Sequence, residues 1–293
     1  MSLPRIGVTA GDPAGIGPEI AAKAAVDPRV LAVCQPVVYG PAPDEARRRF
    51  TPGVVSSDAG RAAYDAIVAA VEDAKAGRVD AVATGPINKE AFARAGLPWK
   101  GHTELLAHLT GAARFAMMFY SDALRVVLAT IHVPLAEVPR QLTPERLDEV
   151  VMLTAEELPR FGYASPRLAV AGLNPHAGEH GLIGPEDEEV IRPVVDGCRA
   201  RGLDVTGPVP GDTVFVRAIN GEFDAVVACY HDQGLIPIKV VSFGRSVNVT
   251  LGLPIIRTSV DHGTAFDIAG KDVANPASLV EAVLLAARLA KVR

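Results

Sequence analysis

Ala225-Val-Val-Ala-Cys-Tyr-His231-Asp-Gln-Gly234 is a short apolar run that breaks into polar residues at a histidine. Two other stretches repeat the pattern: Leu124-Arg-Val-Val-Leu-Ala-Thr-Ile-His132-Val-Pro134 and Arg167-Leu-Ala-Val-Ala-Gly-Leu-Asn-Pro-His176-Ala-Gly178. The runs 124–131, 167–173 and 225–230 are short and rich in β-branched residues, which predicts buried strands. A polar residue at the C-terminal end of a strand in an α/β sheet faces the crevice where such folds bind ligands. Three imidazoles at three strand ends have the chemistry to hold one divalent metal and leave a coordination position open. The competing reading of each, a hydrogen-bonded structural histidine, is open at this point.

The same alternation extends outward in both directions. Strands are expected at Arg5–Ala10, Val37–Tyr39 and Asp80–Thr84. Helices are expected at Pro18–Ala25 and Arg61–Lys75, the second with Ile67, Val68 and Val71 at helical spacing. Thr143-Pro144 opens a helix striped by Leu147, Val150, Val151 and Leu158, and Asn275-Pro276 opens the last one. Strand and helix in turn mean an α/β fold with a mainly parallel sheet.

Length and composition bound the function. With 293 residues the chain can build one large or two medium domains, and 49% hydrophobic residues is an ordinary globular share. A net charge of -5 argues against a general nucleic-acid surface. Cys34, Cys198 and Cys229 lack CxxC spacing and suit reduced thiols, hence a cytoplasmic protein. No signal peptide is read at the N-terminus, and no apolar run reaches the roughly 18–20 residues that cross a bilayer.

Four further segments carry chemistry. In Thr9-Ala-Gly-Asp12-Pro-Ala-Gly-Ile-Gly17-Pro-Glu19 three glycines lie between strand and helix, in an order that is neither GxGxxG nor a P-loop. They serve either a tight turn or close approach to an anion or cofactor; Asp12 is a site residue or a turn cap. Gly101-His102-Thr103-Glu104 places two donors at a helix start. Lys239, Asn248 and Arg257 set cations among apolar residues, which requires an anionic ligand or an internal salt bridge. The segment from Asp261-His262-Gly-Thr264-Ala-Phe-Asp267 to Asn275-Pro276 suits a loop around a nucleotide, or an ordinary loop and helix start. Asp212 and Asp232 are candidates to orient metal ligands, carry protons or cap helices.

Together TAGDPAGIGPE, TGPINKEA, GHTELLA, NPHAGEHG, YHDQGLIPIK and GRSVNVTLGLPIIRTSVDHGTA resemble the 4-hydroxythreonine-4-phosphate dehydrogenase family of pyridoxal phosphate biosynthesis. HGTAFDIAGKDVANP also resembles the cofactor loop of isocitrate and isopropylmalate dehydrogenases. The resemblance implies that fold: two α/β domains with the active site in the cleft between them. The expected division is 1–98 plus 253–293 on the cofactor side and 99–252 as a central domain. It implies metal binding by His132, His176 and His231 in a site at a homodimer interface. It implies substrate binding by His102, Thr103, Lys239, Asn248 and Arg257, and NAD or NADP held by His262, Thr264, Asp267 and Asn275. Asp267 would favour NAD by repelling a 2′-phosphate. Asp232 or Asp212 is the expected base for oxidation of a secondary alcohol, with zinc as the first choice of metal and cobalt or magnesium as alternatives.

The family usually carries a longer insertion where this chain has only a Pro/Arg-rich stretch over 41–57. Its members also include dehydrogenases of phosphorylated threonate or erythronate and of cis-dihydrodiol carboxylates. Acyl-phosphate transferases share the fold without hydride chemistry.

Overall fold

A computed structural model describes residues 2–292. The chain forms two compact units: a terminal unit, from the N-terminus to Ala113 and again from Val247 onward, and a central unit, Arg114–Ser246. The divisions at 113/114 and 246/247 differ from those read at 98/99 and 252/253. Helix His102–Thr110 packs in the terminal unit because Leu105 and Leu106 join the apolar core around Ile67, Val82 and Phe92. Strand Val247–Leu251 lies there because it pairs with Arg257–Ser259.

In the terminal unit the strands run in the order Gln35–Tyr39, Arg5–Thr9, Ala81–Thr84, Arg257–Ser259, Val247–Leu251. All joins are parallel except the last. Helix Ser57–Lys75 covers the sheet with Ala63, Ile67, Ala70 and Val71, one apolar stripe at helical spacing. It begins one turn before the expected Arg61, because the Ser56 side chain accepts from the Ala59 N–H (3.1 Å) and caps it. The 41–57 stretch holds a helix, Pro43–Arg49, with acids in its first turn and arginines in its last.

The central unit orders its strands Ala116–Tyr120, Arg125–Leu128, Ala225–Ala228, Leu168–Ala171, Val205–Val209. Only the first pair is antiparallel. The middle three strands are buried at every residue, as strands covered on both faces must be. They are the three runs that precede the histidines. Helix His231–Ser242 follows the third directly, with Pro237 inside it. Gly234 lets that helix approach the sheet: a Cβ there would stand 2.6 Å from Val126 and 2.8 Å from Leu128. Among the described residues no helix is long and apolar enough to cross a membrane.

Candidate active site

Arg257 is 3% exposed, on a strand between two others. Its Nη2 donates to Thr84 Oγ1 (2.8 Å), and its Nη1 to Thr250 Oγ1 (3.0 Å) and Asn248 Oδ1 (3.2 Å). Thr84 in turn donates to Ser259 Oγ (2.9 Å). All these acceptors are neutral. Among the described residues no carboxylate lies within salt-bridge reach of Arg257, so the internal salt bridge allowed by the sequence is not made. Burial pulls its pKa down to about 9.

His102, the first residue of its helix, stands beside this cation. Its Nε2 reaches no solvent and has no hydrogen-bond partner. Burial, and secondly the Arg257 charge, hold the imidazole well below its ordinary pKa, so the ring is neutral. Thr103 is buried next to it. A buried guanidinium without a counter-charge and a buried ring nitrogen without a partner are both costly unless an anion completes them. His102, Thr103, Asn248 and Arg257 therefore belong to one unit, as does their acceptor shell. Lys239 does not: it lies half-buried in helix His231–Ser242 of the central unit.

The glycine turn proves to be a site of close backbone approach. A Cβ on Gly17 would lie 1.7 Å from the Ala10 carbonyl oxygen, and one on Gly11 2.1 Å from that of Pro86. Asp12 is 1% exposed and caps the turn, Oδ1 accepting from the Ala14 N–H (2.8 Å). Its Oδ2 is buried without a partner, and burial raises the carboxyl pKa to about 6.

The turn also braces the 262–275 loop. The Ile16 N–H donates to the Thr264 carbonyl (3.0 Å). Glu19 Oε1 accepts from the Ala274 N–H (2.7 Å) and from Lys23 Nζ (2.7 Å), and Lys23 donates onward to the Ala274 carbonyl (2.9 Å). From the 41–57 stretch, Arg47 pairs with Asp272 (3.0 Å), and Phe50 shares an apolar cluster with Ala14, Ala59 and Phe266. Asp267 is exposed on this loop, His262 Nδ1 lies 2.9 Å from the Gly263 carbonyl, and Asn275 Oδ1 accepts from the Ala277 N–H (3.0 Å) just ahead of the last helix, whose N-cap is Pro276.

In the central unit His132 and His231 come together, their ring centroids 5.5 Å apart. His231 Nδ1 lies 2.7 Å from Asp232 Oδ1, an arrangement that leaves Nε2 free to coordinate. Among the described residues no three His, Cys, Asp or Glu stand close enough to hold a metal within one chain. The three strand-end histidines thus do not meet in a single copy. His176 instead lines a cavity of about 830 Å³ with Asp212, Tyr230 and Asp232, and with the apolar Ile236 and Val240. Of its lining, Val216, Ile219, Ile236, Val240 and Val241 are exposed, Val240 to 79%, and Phe243, just past the end of the helix, is exposed to 82%. Such a contiguous apolar face marks an interaction surface.

Nothing in the sequence reading singles out Asp187, which is fully buried. Its carboxylate accepts from the backbone N–H groups of Leu173 (2.9 Å) and Asn174 (3.0 Å) and from Asn174 Nδ2 (3.0 Å). Next to it His176, Ala177, Gly178, Glu179 and His180 all have positive φ, between 45° and 76°. For the four that are not glycine this left-handed backbone costs roughly 1–2 kcal/mol each. It lies in an acidic run, 186–189, in which no pattern of spacing marks one carboxylate as buried.

The family model described as Pyridoxal phosphate biosynthetic protein PdxA matches residues 19–286. The chain is 45% identical to a 4-hydroxythreonine-4-phosphate dehydrogenase of Desulforapulum autotrophicum, over 97% of this chain and 95% of that one. It is 44% identical to a D-threonate 4-phosphate dehydrogenase of Cupriavidus necator, over 98% of each. Among solved structures, a 4-hydroxythreonine-4-phosphate dehydrogenase from Klebsiella pneumoniae superposes with a TM-score of 0.88 at 40% identity, covering 98% of both chains. With a match across nearly its whole length, the chain belongs to the PdxA family.

Proposed function

We propose that the protein is a nicotinamide-dependent dehydrogenase that oxidises 4-phosphooxy-L-threonine to 2-amino-3-oxo-4-phosphooxybutanoate. That product loses carbon dioxide to give 3-amino-2-oxopropyl phosphate, a precursor of pyridoxal phosphate. The observation that carries the reading is Arg257, a buried cation bonded only to neutral oxygens beside an unpartnered His102. An anionic substrate supplies the missing charge.

Arg257, Asn248, His102 and Thr103 bind the phosphorylated substrate, and Lys239 adds a second cation. Neutral His102 donates or accepts one hydrogen bond and brings no charge of its own. Asp232 or Asp212 takes the proton of the substrate hydroxyl; a bound nicotinamide would supply the hydride acceptor. The 262–275 loop holds the adenosine half of NAD, with Asp267 disfavouring the extra phosphate of NADP.

His132 and His231 fit a divalent metal by donor chemistry and spacing, and Asp232 orients the His231 ring. His176 completes the set from a second copy, docked through the exposed apolar face, so the working form is a homodimer. Zinc suits imidazole donors best, with cobalt or magnesium as substitutes. Such a metal, when bound, lowers the pKa of the substrate hydroxyl and stabilises negative charge on that oxygen.

The Cupriavidus relative supports a second reading, D-threonate 4-phosphate, which differs from the first in hydroxyl for amine. Nicotinamide reduction by metal-loaded protein, followed by absorbance with each substrate, tests both. Reduction with the amino acid alone fixes the first reading. Preference for the threonate replaces it, and no reduction with either phosphorylated acid sinks both.

A further inference from the structure

We infer that Asp187 is a positioning residue for His176: its carboxylate locks the left-handed turn that presents the imidazole. The inference rests on the proposed metal role of His176. Asp187 is wholly buried and accepts only from amides, two backbone N–H groups and the Asn174 side chain. The two backbone donors, on Leu173 and Asn174, end just before Pro175 and His176. They fix the chain where it leaves the strand Leu168–Ala171.

Beyond that point the turn closes on the same carboxylate. A Cβ on Gly172 would meet both Ala177 Cα (2.9 Å) and Asp187 Oδ1 (3.0 Å), and one on Gly178 would meet Asp187 Cβ at 3.1 Å. The turn therefore wraps Asp187 from both sides. Asn174 Nδ2 also donates to Glu186 Oε2 (2.8 Å), which ties the turn to the residue before the anchor. Six successive positive φ angles, four of them on residues other than glycine, persist only where the surroundings over-determine them. The buried carboxylate is what over-determines them here. Released from it, the segment relaxes to right-handed or extended backbone and His176 swings away from its presented direction.

The test uses the full chain, Co2+ alone as probe, and two readouts: the visible cobalt absorption bands and the Kd from calorimetry. His176→Ala is expected to lose the wild-type cobalt bands and binding. Asp187→Asn is expected to keep the histidine but alter the bands and weaken Kd about 10- to 100-fold, as loss of a residue supporting a metal ligand does. Asn174→Ala, a milder change at a partly exposed residue, should weaken Kd several-fold in the same direction. An Asp187→Asn protein with wild-type bands and Kd, beside a His176→Ala protein that has lost them, overturns the inference even if its thermal midpoint falls. Should Asp187→Asn fail to fold, unchanged binding by Asn174→Ala overturns it. Wild-type cobalt binding by His176→Ala removes the metal reading itself, and this inference with it.

Discussion

The Arg257 pocket and the histidine region are built on opposite plans. Arg257 is buried in a sheet interior, its three hydrogen-bond acceptors Thr84, Asn248 and Thr250 all drawn from the terminal unit, and only a counter-charge is lacking. The histidines stand at strand ends of the central unit, two together and one apart, among exposed apolar side chains. One region assembles its polar groups within a single unit around an unbalanced cation. The other holds donors beside an exposed apolar rim. On the proposed reading, anion binding draws mainly on one unit of one chain, whereas the metal site also needs a second copy.

The sharpest way to break this contrast is His176→Ala, which should abolish metal binding and turnover with the thermal midpoint nearly unchanged. Activity equal to wild type in that variant ends the assignment. Next in size, Arg257→Met should cut kcat/KM by roughly 10²- to 10³-fold, the range for truncating one side of a buried charge contact. The loss should fall mainly in KM for the phosphorylated substrate, and steady-state kinetics separate the two.

Charge placed on the apolar rim comes third. Val240→Asp with Phe243→Asp should convert the protein to monomers in sedimentation and lower activity at least about tenfold, while equilibrium binding of inorganic phosphate at the Arg257 pocket persists. Phosphate binding lost together with the dimer would show that the pocket is not self-sufficient.

The pH profile follows. Burial pulls the Arg257 pKa down to about 9, so kcat/KM should decline on the alkaline side as its charge is lost. Smallest is Asp12→Asn. The folded carboxyl protonates at about 6 and the unfolded one at 3.8, so the native state binds more protons between them. Stability from this group is full below 3.8 and is lost as pH rises through 6. Asparagine should thus raise stability by about 1–3 kcal/mol above pH 6 and change little below pH 4, as denaturant titrations would read.

The strands before the three histidines were legible because burial on both faces forces unbroken apolar runs, and 125–128, 168–171 and 225–228 are such runs. The helix His231–Ser242 was not, because Pro237 and Gly234 are both residues that argue against a helix interior. Its formation is a tertiary effect, since Gly234 lets it sit on Val126 and Leu128. Arg257 could be read as a cation in apolar surroundings, but only the fold shows that threonines and an asparagine, not carboxylates, receive it. The left-handed turn at His176 and its anchor Asp187 leave no periodic trace, because non-glycine residues with positive φ are set by their surroundings. The glycine turn was read evenly between packing and ligand approach, and the approach distances to Ala10 and Pro86 give packing a sufficient claim on Gly11 and Gly17.

The 262–275 loop is held at four points, by Ile16 at Thr264, by Phe50 and its neighbours at Phe266, by Arg47 at Asp272, and by Glu19 with Lys23 at Ala274. A cofactor seated on it would spend none of its binding free energy on ordering the loop. On the proposed reading its residence time would then be governed chiefly by direct contacts rather than by reordering of the loop. In this chain, where the 41–57 stretch is short, a helix of seven residues and one phenylalanine supply part of that rigidity.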